Sequence, residues 1–306
     1  AFCIVPAVRG PEVSRPFADL VAEVEQLAHL GVTEVTLLGQ NVNSYGRDLA
    51  LAERRAGDDV AVRPRFAELL RAVGAVAGIE RVRYTSPHPK DLRAETIAAM
   101  ADVPSVCEHL HLPLQSGSDA ILAAMHRGYT GERYLERLAA ARAGIDDLAV
   151  TTDIIVGFPG ESDADFEATL EVAAEADYDS AYTFVYSPRP GTEAAELVDR
   201  FVPHGTAVER MERLRSVVER SSLRRNEARV GRIEEVLVEG PSKKDPAVLT
   251  GRTRQNKLVH FPASGIRRGS YARVQVTAAG LSSLRGELVE VTAAPRHRTR
   301  IPVAVG

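Results

Sequence analysis

The sequence predicts an α/β fold in two parts, a barrel-type run of alternating strands and helices followed by a small all-β barrel. Three observations carry this expectation. From residue 14 to about 187, segments with apolar residues at helical spacing alternate with short β-branched runs. After Gly231 that spacing gives way to short β-type runs divided by Gly, Pro, Asn and Ser turns. The charge balance reverses at the same place. Residues 1–228 carry 24 Lys and Arg against 36 Asp and Glu, residues 229–306 carry 14 against 6, and the resulting −12 and +8 combine to the chain's net −4.

The elements follow in order. Ser14 followed by Arg15-Pro16 predicts a helix N-cap, with Leu20, Val24, Leu27 and Leu30 on one face and Gly31 as the stop. A strand is expected at Glu34–Leu38, then a Gly- and Arg-rich excursion over 46–64, a helix at 65–77 and a strand at Arg81–Thr85. The rhythm continues with a helix at 91–101, a strand at His109–Leu114, helical residues 118–143 broken near Gly128, a strand at Thr151–Val156, a helix at 162–175 and a strand at Ala181–Tyr186. Strands separated by helices imply a parallel sheet with its chemistry just beyond the carboxyl ends of the strands. Residues 205–228 predict a charged amphipathic helix that leaves the barrel. Strands are then expected at Ile233–Glu239, Val248–Thr253, Lys257–Phe261, Tyr271–Thr277 and Leu284–Val291. The domains are therefore 1–227, 228–296 and a basic tail at 297–306.

Composition excludes several classes. An apolar fraction of 44% and a charged fraction of 26% are ordinary for a soluble protein, and no apolar run approaches a membrane span. The two cysteines, Cys3 and Cys107, make no disulfide framework, and no leader precedes a cleavage site, so the cytoplasm is the expected location. The first residue is not Met, and the abrupt Phe2-Cys3-Ile4 suggests a start further upstream. The basic second part is either a grip for a polyanion or a solvated basic face.

Polar loops follow the strands where chemistry is expected. Gln40 and Asn41 lie in Leu37-Leu-Gly-Gln-Asn-Val-Asn-Ser-Tyr-Gly46, and Ser86 and His88 in Tyr84-Thr-Ser-Pro-His-Pro-Lys90. Gln115, Ser116 and Gly117 open Gln115-Ser-Gly-Ser-Asp119, where Ser118 or Asp119 is equally a helix cap. Arg127 suits a carboxylate partner or a helix-end salt bridge. Asp153 begins Asp153-Ile-Ile-Val-Gly-Phe-Pro-Gly-Glu161, whose Gly157 allows close backbone approach and whose Glu161 can cap the next helix. Tyr186 begins Tyr186-Ser-Pro-Arg-Pro-Gly-Thr192. Lys243, Lys244, Arg252, Arg254 and Lys257 fall on the hairpin loops of the basic module, with Asn256 in a turn. A cysteine such as Cys3, taken alone, is more often a buried apolar residue than a ligand.

Taken together and in order, these runs resemble the radical-SAM methylthiotransferases, in the branch that acts on isopentenyladenosine of transfer RNA, and residues 238–261 resemble a TRAM domain. The resemblance implies a partial (βα) radical-SAM barrel of TIM type whose first strand and two cluster cysteines lie upstream. Cys3 becomes the third ligand of a [4Fe–4S] cluster that binds S-adenosylmethionine. Gln40, Asn41, Ser86, Gln115, Ser116, Gly117, Arg127, Asp153, Gly157 and Tyr186 become cofactor-binding residues, Gly157 and its neighbours lying against the adenine. The five basic residues of the module become RNA contacts. The family also implies a second [4Fe–4S] cluster in an upstream domain, the anticodon stem-loop as partner, and an external reductant and sulfur donor. Two sibling activities share this architecture, one on threonylcarbamoyladenosine and one on a ribosomal protein. A chain with one thiolate of three is not expected to hold the cluster, which leaves an inactive RNA-binding fragment as the reading from another class.

Overall fold

The computed structural model describes residues 8, 10 and 12–296, so Cys3 and the basic tail lie outside the described residues. Strands β1 (Glu34–Leu37) and β2 (Arg81–Tyr84) pair in parallel. So do β3 (His109–His111) with β4 (Ala149–Val156), and β4 with β5 (Ser180–Val185). A bridge from Val82 to Val106 links the two sets. Around them run α1 (Phe17–His29), α2 (Arg47–Ala56), α3 (Phe66–Gly74), α4 (Ala94–Asp102), α5 (Asp119–Ala124), α6 (Gly131–Gly144), α7 (Asp163–Ala176), the single turn α8 (Glu193–Glu196) and α9 (His204–Glu227). The pleat of β4 divides its side chains. Val150, Thr152, Ile154 and Val156 are buried, while Thr151, Asp153 and Ile155 are only partly covered and face the barrel interior.

Three local expectations are corrected. Ser14 does not cap α1, whose N-cap is Pro16. Its hydroxyl instead accepts from Gly46 N–H at 2.9 Å and its own N–H donates to Asp48 at 2.7 Å. The excursion over 46–64 contains α2, which had too few apolar positions to announce itself and which an Arg65–Glu53 ion pair ties down. Helix α9 does not leave the barrel: it packs along β5 and α7, burying Leu214 and Val218 in the main core.

The second part is a closed barrel with strand order β10-β8-β7-β6-β9, made of β6 (Ile233–Pro241), β7 (Val248–Arg252), β8 (Leu258–Pro262), β9 (Tyr271–Ala279) and β10 (Leu284–Ala293). Alternate residues of β6 turn inward, and Val236, Val238, Val259, Phe261, Val274 and Leu284 fill the interior.

This small barrel seats against the amino-terminal ends of the parallel strands. Arg81, with no exposed surface, donates to Arg252 O at 2.8 Å, to Glu235 O at 3.0 Å and to the Glu235 carboxylate at 2.9 Å, and lies over the Tyr271 ring. Arg83 donates to Thr253 O and Arg254 O, both at 2.8 Å. In the other direction Arg254 grips Glu108 and the carbonyls of Pro104 and Val106, while Lys257 Nζ meets Asp179 at 2.7 Å and Asn226 at 2.8 Å.

Candidate functional site

At the carboxyl ends of the strands lies a cavity of about 760 Å³. Gln40, Asn41, Ser86, Gln115, Arg127, Asp153 and Tyr186 all line it, together with His88, His111 and Arg189. Ser86 and Gln115 adopt left-handed backbone at φ 59° and 68°, and so does His126 at 59° on the same rim. Left-handed residues other than glycine are uncommon, and three on one rim mark a surface shaped for something other than stability.

The first loop supplies the clearest polar group. Asn41 Nδ2 donates to Asp91 at 3.1 Å, and Arg47 donates to the other oxygen of that carboxylate at 2.6 Å. Burial raises the Asp91 pKa, but the bonds from Asn41 and Arg47 outweigh it and hold the acid below its usual range. A carboxylate accepts only, which fixes the amide orientation and leaves Asn41 Oδ1 as a buried acceptor with no partner. The Tyr186 hydroxyl is likewise buried without a partner. Two such atoms on residues that line one cavity fit a ligand with hydrogen-bonding groups, since an unpaired buried polar atom costs free energy until something meets it.

His88 is built into the wall. Its ring accepts from Lys90 N–H, its backbone exchanges two hydrogen bonds with Asn43, and its ring stands edge-on to Tyr129. Burial and the nearby Arg127 charge push its pKa down to about 4, so it stays neutral and structural.

Three of the ten expected cofactor residues do not reach the cavity. Ser116 is fully buried and bonds Thr169 at 3.2 Å. A Cβ on Gly117 would stand 2.5 Å from Ala168 O, so this glycine admits α7 rather than a ligand. A Cβ on Gly157 would stand 2.9 Å from Ala207 Cβ, so this one admits α9. Ser118 is the N-cap of α5 and Ser162, not Glu161, caps α7. Glu161 accepts from Gly157 N–H at 2.9 Å and pairs with Arg210 at 2.7 Å.

The basic set of the module also divides. Lys257 and Arg254 are spent on Asp179 and Glu108 in the junction, and Arg252 pairs with Glu239 at 3.0 Å, so none of the three is a free loop cation. Lys243 and Lys244 remain exposed on the β6–β7 hairpin, and Arg267 and Arg268 are exposed on the β8–β9 loop at the same end. The Arg-Arg pair between Gly265 and Gly269 was the signal for that second pair. Among the described residues no group of His, Cys, Asp and Glu could hold a metal ion, and burial raises the Cys107 thiol pKa. No helix among them is long and apolar enough to cross a membrane.

Comparison with known proteins follows the same division. Residues 1–173 match the model of the Radical SAM superfamily and residues 227–289 that of the TRAM domain, and the chain belongs to the Radical SAM superfamily. It is similar to a Moorella thermoacetica protein named tRNA-2-methylthio-N(6)-dimethylallyladenosine synthase, at 50% identity over 94% of this chain and 62% of that protein. Proteins of the same description from Mycobacterium marinum, 50% identical with 90% and 54% covered, and from a Thermoanaerobacter species, 48% identical with 95% and 59% covered, are similar too. The chain thus spans less than two thirds of the length of these curated relatives.

Proposed function

We propose that this chain is the S-adenosylmethionine-binding barrel and RNA-binding module of a transfer-RNA methylthiotransferase that acts at carbon 2 of isopentenyladenosine beside the anticodon, in the cytoplasm. The observation that carries the reading is the pair of unpartnered buried atoms, Asn41 Oδ1 and Tyr186 OH, at a strand-end cavity of about 760 Å³ in a Radical SAM chain. Asn41 Oδ1 is placed to accept from an amino group, and Arg127 and Arg189 stand on the wall where a carboxylate would be met. When bound with a [4Fe–4S] cluster, S-adenosylmethionine supplies a 5′-deoxyadenosyl radical and a methyl group. The described residues orient such a ligand and enclose it. The cluster itself is assigned to Cys3 and to thiolates supplied by the upstream region, and a second cluster to an upstream domain.

The substrate assignment is tested by nucleoside mass spectrometry in cells that lack the gene and then regain the gene product containing this chain. Restored 2-methylthio-isopentenyladenosine is the expected result; restored 2-methylthio-threonylcarbamoyladenosine in its place would show that the sibling activity is the true one.

Lys243, Lys244, Arg267 and Arg268 form the proposed RNA grip. If they neutralise about four phosphates of a single-stranded loop, log K falls with log salt at a slope of about −3. Replacing all four by alanine should flatten that slope toward zero in equilibrium binding to an anticodon stem-loop. An unchanged slope places the contact elsewhere.

A further inference from the structure

The interior faces of β3 and β4 carry a file of three polar residues, His109, Thr151 and His111, that the cofactor reading does not use and that lead up to Asp153, which it does. His109 and His111 stand two residues apart and share a face of β3, and Thr151 pairs with His111 across the strands. The Thr151 hydroxyl serves both rings, 3.1 Å from His109 Nε2 and 2.9 Å from His111 Nδ1. His111 Nε2 lies 3.3 Å from Asp153 Oδ2. The file runs from the floor of the barrel, where Arg83 and Lys257 act on His109, to the cavity, which His111 and Asp153 line.

Hydrogen-bond chemistry sets the polarity of this file. A carboxylate accepts only, so the contact with Asp153 requires a proton on His111 Nε2. With a neutral His111 ring, Nδ1 accepts from the Thr151 hydroxyl, whose oxygen accepts from His109 Nε2–H. With a charged ring, Nδ1 donates to Thr151, whose hydroxyl turns toward His109. Both arrangements leave Nε2–H on Asp153. His109 accommodates either by changing tautomer, because burial and the Arg83 charge push its pKa down to about 3 and keep it uncharged. Among the described residues nothing bonds Asp153 Oδ1, and the side chain keeps 30% of its surface open. One oxygen is held from behind and the other is offered to the cavity.

We propose that His111 is a positioning residue for Asp153: the file His109–Thr151–His111 aims that carboxylate so that Oδ1 accepts a hydrogen bond from a hydroxyl or amino group of the bound nucleoside ligand. This rests on reading the cavity as the S-adenosylmethionine site.

The test is calorimetric titration of the chain with S-adenosylmethionine, with thermal unfolding followed for every variant. His111→Leu should weaken binding about tenfold, the size of one lost hydrogen bond to a charged group. His111→Gln, which keeps an N–H donor near the place of Nε2, should restore most of it. Nitrogen-15 spectra of histidine-labelled protein should show the His111 proton on Nε2, and Thr151→Val should loosen that tautomer without touching Asp153. Asn41→Leu controls for the cavity. Binding weakened by Asn41→Leu but untouched by His111→Leu overturns the positioning role and leaves the cavity reading standing. Binding untouched by both overturns the cavity reading and this role with it. A His111 proton found on Nδ1 alone overturns the role whatever the affinities, and it decides the matter should His111→Leu fail to fold.

Discussion

Replacing Arg81 by alanine should lower the stability of the chain by about 3 kcal/mol, with the small barrel loosening first. The size follows from what the guanidinium holds. It is wholly buried, it satisfies two carbonyls of the module and the Glu235 carboxylate, and it covers the face of Tyr271. Removing one member of a buried, hydrogen-bonded charge set leaves the others desolvated and unpaired, at a cost of about 3–5 kcal/mol. The loss is held to the lower part of that range because Glu235 is 46% exposed and can return to water. Lysine is no substitute, since a point charge cannot serve carbonyls of two strands at once. Urea denaturation measures the total, and amide exchange in β6 and β7 locates it. Unchanged exchange there would mean that Arg83, Arg254 and Lys257 hold the junction without Arg81.

Acidification should cost the protein stability in a window set by two histidines. Burial, aided by Arg127, pushes His88 down to about 4, and burial, aided by Arg83, pushes His109 down to about 3. In the unfolded chain both titrate near 6.5. Above that pH both are neutral in both states and stability does not change on their account. As pH falls below about 6.5, the unfolded chain takes up protons that the folded chain refuses, so stability declines by up to about 1.4 kcal/mol per pH unit for each histidine. The decline ends near pH 4 for His88 and near pH 3 for His109. Asp91, whose pKa is depressed, adds a loss only as pH falls through the carboxylate range, at the acid end of that window and below it. Urea midpoints measured between pH 7 and pH 4 should therefore fall, and His109→Gln should remove about one proton from the slope. A slope that His109→Gln leaves unaltered would mean that His109 is already charged in the folded state.

Much of this was legible in the sequence because alternation is a direct physical signal. The strands of the small barrel and the succession of strands and helices before it followed from which residues must hide, and those residues do hide. Gln40, Asn41, Ser86, Gln115 and Tyr186 were legible as cavity residues from their place just beyond strand ends, whereas Arg127, which follows a helix, and Asp153, which lies within β4, were named only through the resemblance. Ser116, Gly117 and Gly157 were misplaced because a small residue after a strand admits either a ligand or a helix, and only packing shows which side is occupied. Lys257 and Arg254 were misplaced for a related reason. A cation is drawn by phosphate and by carboxylate alike, and the carboxylates that claimed them, Asp179 and Glu108, are remote in sequence. His111 lies in a strand the sequence announces, but its partner Asp153 lies on another strand, remote in sequence.

Helix α9 spans His204–Glu227, with Ala207 and Arg210 packed beside the cavity rim and Asn226 reaching Lys257 at the floor. At 1.5 Å per residue its 24 residues make a strut of about 36 Å. The helix thereby sets a fixed separation between the cavity mouth and the module that carries the exposed cations. On the RNA reading proposed above, that separation acts as a caliper: a loose nucleoside reaches the mouth alone, whereas an RNA long enough to span the strut engages both ends, and selection by span precedes any reading of a base.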